Sequence, residues 1–301
     1  GNVSSEAPVS ITVTAGNDSP LIAVKTGLTV AEGDTGTTIT NAMLNEGDPD
    51  DDGADLTYTV TAATSNGTLR LSGVALGVND SFTQADIDSG NLTYDHDGGE
   101  TASDSFSFSL ADGGEDGASA ATGTFTITVT PVNDAPTAAI TPASYSATEQ
   151  VSLTLHGTGL SIGDVDDGGA IVEATLSVVT GTLNTTTGTT GVTIGGNGTS
   201  TLTLTGTIGQ INDLLAGNLG GTLSYIDTSD TPPASDTLTL EVDDQGNTGT
   251  GDALSDTDSI AIVVQAPDQK LWLTFENDEG ATGSSEIPSM TGGDVVTYSD
   301  I

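Results

Sequence analysis

The chain has 301 residues, of which 43 are Asp or Glu and 3 are Lys or Arg, so its formal net charge is −40. A nucleic-acid-binding protein needs a basic face, and a polybasic membrane anchor needs clustered Lys and Arg, so this composition excludes both. No apolar stretch approaches the roughly 18 residues of a membrane-spanning helix, so none is predicted in this segment. Because like charge disfavours a compact state, some feature must offset the repulsion.

Short runs of alternating apolar and hydroxyl residues predict β-strands from the N-terminus onwards. Examples are Phe106, Phe108 and Leu110, and later Leu238 and Leu240, all separated by Ser or Thr. This period of two places one face of a strand in a core and the other in water. Clusters of Gly, Asn and Asp separate the runs at turn positions. The two exceptions, QADIDSG (84–90) and GQINDLLAG (209–217), predict single helical turns.

Several sequence motifs recur in the same order, which predicts two copies of one fold. The pairs are SITVTAGNDSP (10–20) with TITVTPVNDAP (126–136), GDPDDDGADLTYTV (47–60) with GDVDDGGAIVEATLSV (163–178), and DSFSFSLADGG (104–114) with DTLTLEVDDQG (236–246). Asp18 and Asp134 are 116 residues apart, about the length of one β-sandwich. A weaker third ending is DSIAIVVQAP (258–267).

These matches predict the domain organisation. Residues 1–20 are expected to be the last strand of a preceding repeat, and residues 21–136 and 137–267 are two complete repeats. Residues 268–301 begin a different domain and end too early to complete it. The segment is therefore expected to come from a longer chain.

Two acidic clusters occupy the same relative place in the two repeats and favour a metal site. They are Asp48, Asp50, Asp51 and Asp52 in the first repeat, and Asp164, Asp166 and Asp167 in the second. Two carboxylates about 4 Å apart repel by about 4 kcal/mol at an effective dielectric constant near 20. Ca²⁺, which takes six to eight oxygen ligands, turns that repulsion into attraction. The alternative is a solvated acidic loop without metal.

The motifs VNDAP (132–136), AEG (31–33) and SLADGG (109–114), with GDPDDDGADLTYTV, resemble extracellular cadherin-like repeats. The segment FTQADIDSGNLTYDHDGGETASDSFSFSLADGG (82–114) is similar to the chondroitin-sulfate-proteoglycan type of that superfamily, which is common in giant bacterial surface proteins. The resemblance covers nearly all of residues 1–267. It implies an all-β fold of tandem Ig/cadherin-like Greek-key β-sandwiches in a linear array.

In such arrays calcium lies between successive sandwiches, and the resemblance implies two sets of ligands. The first set is Asn17, Asp18, Asp48, Asp50 and Asp112, and the second is Glu32, Asn133, Asp134, Asp164, Asp166 and Asp244. The third ending departs from the pattern, because Gln265, Ala266 and Pro267 stand where an Asn-Asp pair is expected.

The C-terminal segment KLWLTFENDEG (270–280) resembles the first strand of a concanavalin-A-like or laminin-G-like jelly roll. That family often binds carbohydrate. The alternative is an ordinary strand that places Trp272 and Phe275 in a core.

The sequence predicts a non-enzymatic protein, since it has no Cys and no hydrolase, zinc-protease or P-loop motif. His96 and His156, the two His residues, are interpreted as turn or surface residues. The predicted function is a calcium-rigidified stalk of an extracellular surface or secreted protein, whose partners are neighbouring repeats, homotypic copies or surface glycans. Alternatives are a self-assembling filament or sheath that pairs through Thr-rich edge strands, a spacer carrying a lectin-like head, and a salt-adapted acidic surface without specific metal.

Overall fold

The computed structural model describes residues 1, 8, 10–12, 16–113 and 117–266, and the backbone of residues 272–276 and 282–286. The chain divides into two compact units. Unit 1 comprises residues 1–132 with 249–251, and unit 2 comprises residues 133–248 and 252–301. The domain boundaries expected from the sequence stay predictions.

Unit 1 is built from eleven described strands and one short helix. They are β1 (Ile22–Lys25), β2 (Leu28–Ala31), β3 (Thr37–Thr38), β4 (Leu44–Glu46), β5 (Thr57–Ala62), β6 (Gly67–Leu71), β7 (Val74–Ala75), β8 (Ser81–Thr83), α1 (Gln84–Asp88), β9 (Leu92–His96), β10 (Ser103–Ala111) and β11 (Ala121–Thr130). One sheet has the order β2-β11-β10-β5-β8, a second has the order β3-β9-β6-β7, and β1 pairs with β4. The pairing of β2 with β11 is parallel, whereas the other pairs are antiparallel.

Unit 2 repeats this plan. Its elements are β12 (Thr137–Ile140), β13 (Tyr145–Thr148), β14 (Leu153–Thr154), β15 (Leu160–Gly163), β16 (Ile171–Val178), β17 (Thr182–Thr186), β18 (Thr193–Gly195), β19 (Thr201–Thr207), α2 (Ile208–Leu215), a 3₁₀ turn (Asn218–Gly220), β20 (Thr222–Ile226), β21 (Ser235–Asp243) and β22 (Ser255–Gln265). The main sheet has the order β13-β22-β21-β16-β19-β18, and β14-β20-β17 and β12-β15 form the others. Here too the main-sheet strands that come first and last along the chain, β13 and β22, pair in parallel.

The inward residues of each unit form a hydrophobic core, as the period-two pattern predicts. The core of unit 1 is aromatic, since Tyr58 stacks on Phe82 with ring centroids 5.0 Å apart and meets Phe108 edge-on at 5.3 Å. The core of unit 2 is mainly aliphatic, and Leu238 and Leu240 on β21 are fully buried in it. The prediction of an all-β sandwich fold is confirmed.

Both predicted helical turns form, and both begin with the same capping arrangement. The Thr83 hydroxyl accepts a hydrogen bond from the Asp86 N–H, and the Asp86 carboxylate accepts one from the Thr83 N–H. In α2 the equivalent residues are Thr207 and Gln210. Such a capping box satisfies two backbone donors that the helix itself leaves unpaired. α2 runs for eight residues and is therefore longer than the single turn predicted.

A buried aspartate near the start of one long strand pins a loop in each unit. In unit 2 the Asp236 carboxylate accepts hydrogen bonds from the N–H groups of Val179 (2.8 Å), Thr180 (3.1 Å) and Thr237 (2.7 Å), and from the Tyr225 hydroxyl (3.0 Å). Burial acts to raise the pKa of Asp236, but these donors outweigh it and hold the pKa below its usual value.

The same pin exists in unit 1. There Asp104 accepts from the N–H groups of Ser65 and Asn66, both at 3.0 Å, and from the Tyr94 hydroxyl at 2.9 Å. These aspartates therefore serve structural roles within their own units.

The structure differs from the sequence interpretation at His96 and leaves the jelly-roll prediction largely untested. His96 is buried and does not lie at the surface. Its Nδ1 atom accepts hydrogen bonds from the N–H groups of Gly33 (3.1 Å) and Gly98 (3.2 Å). The jelly-roll prediction falls largely outside the described residues. Two antiparallel strands, β23 (Trp272–Glu276) and β24 (Thr282–Glu286), are the part of that region that the structure describes.

Candidate metal centres

In unit 1 the structure brings the first predicted ligand set together. The residues that precede β1 contact two different loops, since Asn17 Nδ2 donates to Asp112 Oδ2 (3.1 Å) and the Asp18 N–H donates to both carboxylate oxygens of Asp50 (3.2 and 3.3 Å). Asp112 directly follows β10. Chain segments about 95 residues apart in sequence therefore converge at one place.

The first acidic loop, residues 48–52, is organised around Asp48. Its Oδ1 atom accepts hydrogen bonds from the N–H groups of Asp50 (3.1 Å) and Asp51 (3.0 Å). This turn gathers the carboxylates, so that one oxygen atom each from Asp48, Asp50 and Asp51 lies within 4.8 Å of the others. Three negative groups at that separation repel one another unless a cation or solvent compensates them.

Unit 2 has the same arrangement at the equivalent place. Asn133 Nδ2 donates to Asp244 Oδ2 at 2.6 Å, and the Asp134 N–H donates to Asp166 Oδ2 at 3.2 Å. In the second acidic loop, residues 164–167, the Asp166 N–H lies 3.5 Å from Asp164 Oδ1. The two units therefore share an Asn amide bound to one aspartate and an Asp N–H bound to a second.

Burial distinguishes the second centre from the first. Asn133 and Asp166 are 6% and 7% exposed, and Asp244 is completely buried. In the first centre Asp112 is likewise buried, whereas Asp18 and Asp50 are exposed. A more enclosed site holds its carboxylates in a lower dielectric, so electrostatic interactions there are stronger.

Buried oxygen atoms without a partner supply the test for a cation. Asn133 Oδ1 and Asp166 Oδ1 have no hydrogen-bond partner among the described residues, and the same holds for Asp164 Oδ2 and, in unit 1, Asp48 Oδ2. Leaving such an acceptor buried and unpaired costs about 1–3 kcal/mol, and more when it is charged. Carboxylate and amide oxygens are the ligands that Ca²⁺ takes, so these residues fit calcium.

The electrostatics of unit 2 point the same way. Burial, together with the neighbouring Asp166 and Asp244 carboxylates, raises the pKa of Asp164 to about 6. For Asp244, burial acts to raise the pKa, but the N–H groups of Gly246 (2.7 Å) and Leu254 (2.9 Å) and the amide of Asn133 outweigh it and lower the pKa. The Asp244 carboxylate is therefore stabilised as an anion. The Asp164 carboxylate is not, and a nearby cation would favour its ionised form.

Glu32 is the one residue of the second predicted ligand set that belongs to unit 1. It follows β2 in unit 1, where its Oε2 atom accepts a hydrogen bond from the Val132 N–H at 3.3 Å. Its Oε1 atom is buried and has no hydrogen-bond partner within the described ranges. Its assignment to the second ligand set stays a prediction.

The structure adds two residues to the first centre. Asp51 contributes an oxygen atom to the cluster, and Glu46 Oε2 accepts a hydrogen bond from the Asp48 N–H at 2.6 Å. Asp51 belongs to the acidic run that the sequence displays, whereas Glu46 gives no sequence signal because it is the last residue of β4.

Part of the chain matches a known protein family and curated extracellular proteins. Residues 20–129 match the family model described as Cadherin-like. The chain is 35% identical over 98 residues to human FRAS1-related extracellular matrix protein 1, which covers 33% of this chain and 4% of that protein. It is 41% identical over 75 residues to human chondroitin sulfate proteoglycan 4, covering 25% of this chain and 3% of that protein.

Cadherin domains of known structure resemble this chain only distantly. The crystal structure of human protocadherin-24 EC1-2 has a TM-score of 0.42 and 17% identity, covering 83% of this chain and 100% of that one. The family match confirms the resemblance to cadherin-like repeats for residues 20–129. The bacterial origin and the laminin-G-like domain stay predictions.

The chain spans only 3–4% of the length of the curated relatives it matches. Those relatives are extracellular matrix or proteoglycan proteins by name, which is consistent with the extracellular or cell-surface localisation expected from the sequence. Among the residues that the structure describes, no helix has the length and hydrophobicity needed to cross a bilayer.

Proposed function

We propose that the chain is a calcium-stabilised, non-enzymatic stalk segment of an extracellular structural or adhesive protein. The observation that carries this proposal is the pair of buried oxygen atoms, Asn133 Oδ1 and Asp166 Oδ1, that lack a partner among the described residues and lie beside further carboxylates. The equivalent residues converge in unit 1, which supports a common role for the two centres. The residues that would hold calcium are Asn17, Asp18, Asp48, Asp50, Asp51 and Asp112 in unit 1, and Asn133, Asp134, Asp164, Asp166 and Asp244 in unit 2.

Calcium would supply charge compensation and order the connecting chain. Asn133 and Asp134 precede β12 and already contact Asp244 and Asp166 through their amide and N–H groups. A cation that also ligates their oxygen atoms fixes this short segment onto unit 2. A connection with less conformational freedom makes a string of repeats stiffer, and in an array each unit chiefly contacts its neighbours.

The calcium affinity determines in which compartment the two centres would be filled. Extracellular calcium modules bind with Kd values of about 10⁻⁴–10⁻³ M. Calcium outside the cell would fill such sites, whereas cytosolic calcium would leave them empty. We therefore propose that the stalk stiffens only in an extracellular environment.

The first test is calcium titration by calorimetry. Wild-type protein should bind calcium with a Kd near the millimolar range. Asp166→Asn should lose the binding at the more enclosed centre of unit 2. Glu241→Gln is the matched control, because it removes one exposed carboxylate from β21 of the same unit. Absence of calcium binding at millimolar concentrations would instead favour a solvated acidic surface.

The second test is small-angle scattering with calcium and with chelator. The chelated protein should sample a wider range of dimensions, and Asp166→Asn in calcium should resemble it. Identical scattering profiles in the two conditions, in protein shown to bind calcium, would leave the metal a local stabiliser and refute the stiffening role.

A further inference from the structure

One sheet face of unit 1 carries no charge, although 43 of the 301 residues of the chain are acidic. Alternate residues of β11 from Thr122 to Thr130 are all Thr, and alternate residues of β10 from Ser103 to Ser109 are all Ser. The flanking strands β2, β5 and β8 present further Ser, Thr and Ala side chains outwards. We call this surface the hydroxyl face; its five described strands present no carboxylate or amine on that side.

The equivalent face of unit 2 is different. Glu173 on β16 and Glu241 on β21 point outwards among Thr and Ser residues, and register places Glu173 opposite Asp243 of β21. The neutral surface is therefore specific to unit 1 and does not follow from the fold. Strand propensity explains Thr in both faces but does not explain the absence of charge from one of them.

Hydroxyl groups are complementary to themselves. Each Ser or Thr hydroxyl both donates and accepts hydrogen bonds, so two identical hydroxyl faces can pair without mismatch, whereas two acidic faces repel. Pairs of this kind already form within the face, since Ser107 Oγ lies 2.9 Å from Thr124 Oγ1 and Thr59 Oγ1 lies 3.1 Å from Ser81 Oγ. Association about a two-fold axis, which brings the same patch of both copies together, is the commonest symmetry of oligomers.

The size of the face suits a weak dimer. Strands about 4.8 Å apart, with a rise of about 3.3 Å per residue, give these five strands of unequal length an area of roughly 500 Å². Two such faces would bury roughly 1,000 Å², which is the size of a weak or transient protein–protein interface. Small Ser side chains along β10 also let the sheets approach closely.

We propose that the hydroxyl face is the surface through which two copies of this chain associate. Docking through the equivalent main-sheet face of unit 2 would instead bring the carboxylates of Glu173, Glu241 and Asp243 towards those of the second copy. The association is weak at low ionic strength, where repulsion between the remaining acidic surfaces is least screened, and it strengthens as salt is added. This proposal does not depend on calcium binding.

The test is sedimentation equilibrium of the whole chain up to millimolar concentration, at low and at high salt. Wild-type protein should show a monomer–dimer equilibrium that tightens with salt. Ser107→Glu with Thr124→Glu places like charges at the centre of the face and should weaken dimerisation by about a hundredfold or more. The matched control is Thr239→Glu with Ser259→Glu, the equivalent cross-strand pair of unit 2, which makes the same change in net charge.

The sedimentation experiment has one result that supports the proposal and three that overturn it. Loss of dimer in the unit 1 variant, with dimer retained in the control, supports the proposal. A monomeric wild type, equal weakening by the two variants, or a monomer whose hydroxyl face binds a neutral glycan would each overturn it. If circular dichroism shows that the double variant is unfolded, Thr122→Glu alone replaces it, because that side chain is exposed on β11.

Discussion

The two units share their strand order but differ in how they fill and decorate it. Both place an aspartate pin near the start of a long strand. In both, an Asn-Asp pair contacts the aspartate that follows this strand through the Asn amide and the acidic loop through the Asp N–H. The core of unit 1 is aromatic and its candidate metal centre is partly exposed, whereas the core of unit 2 is mainly aliphatic and its candidate centre is more enclosed. The shared features are those that hold loops in place, and the variable ones are those that only fill volume or cover a surface.

The largest expected effect tests the shared pin. Asp236→Ala removes the acceptor of hydrogen bonds from five donor groups, including the buried Tyr225 hydroxyl, so the free energy of unfolding of unit 2 should fall by about 3–5 kcal/mol. Asp104→Ala should cost unit 1 a similar amount. Hydrogen exchange of the whole chain, read separately for each unit, measures both losses. Glu241→Gln should leave exchange unchanged. An effect confined to one of the two units would mean that the pin is not equivalent in them.

The second prediction tests the difference in enclosure between the metal centres. Asp166→Asn should weaken calcium binding by about ten- to a hundredfold, or about 1.4–2.8 kcal/mol. Asp50→Asn should weaken it less, because Asp50 is exposed and solvent compensates its loss. Calcium titrations of the two variants give the comparison. A larger effect at Asp50 would show that burial does not rank these centres.

The third prediction exchanges core residues between the units. Register makes Phe108 of unit 1 equivalent to Leu240 of unit 2. Phe108→Leu should cost about 1–2 kcal/mol, since it removes an edge-on contact with Tyr58 and part of a packed ring. Leu240→Phe should cost about 1–3 kcal/mol by overpacking. Denaturant unfolding checks both, and a stabilising exchange in either direction would contradict close packing at this position.

The smallest expected effect concerns pH in calcium-free protein. The pKa of Asp164 is raised to about 6, so ionisation of this carboxyl group opposes folding. The protonated group contributes its full stability to the fold below the unfolded-state pKa near 4, and this contribution is lost as the pH rises through 6. Asp164→Asn should therefore stabilise unit 2 at neutral pH by up to about 1 kcal/mol, after allowance for partial solvent exposure. Thermal unfolding from pH 4 to 8 should show the gain disappearing in acid.

Asp236 provides the contrast in sign. Its pKa is lowered, so its contribution to stability is present above the unfolded pKa and lost as pH falls through the folded one. If Asp164→Asn stabilises the calcium-free protein equally in acid, repulsion between ionised groups is not the cause of the stabilisation.

The alternation of apolar and hydroxyl residues was sufficient to predict the strands, because a period of two survives in most of them. The tandem motifs likewise predicted the acidic loops and the Asn-Asp pairs. What the sequence could not assign was the role of each carboxylate. Asp104 and Asp112 are separated by eight residues, as are Asp236 and Asp244, and the spacing alone does not tell a pin from a ligand.

The strand geometry resolves that ambiguity. Eight residues of extended chain span about 26 Å, so the two aspartates of each pair lie at opposite ends of one strand. Asp104 meets the loop before β6, whereas Asp112 meets Asn17. Contacts of this kind depend on loops brought together from distant parts of the chain, which one sequence does not reveal. The burial of His96 was missed for the same reason, since its partners include Gly33, far away in sequence.

The parallel pairing of β2 with β11, and of β13 with β22, has a mechanical consequence. In each pair the N-terminal end of the first strand and the C-terminal end of the last strand lie at opposite ends of the ladder. Tension that reaches the pair from the two chain ends therefore pulls the strands along their length, and their hydrogen bonds share the load together rather than opening one after another. Each unit thus has a pair formed by its second and its last strand that resists tension by shear.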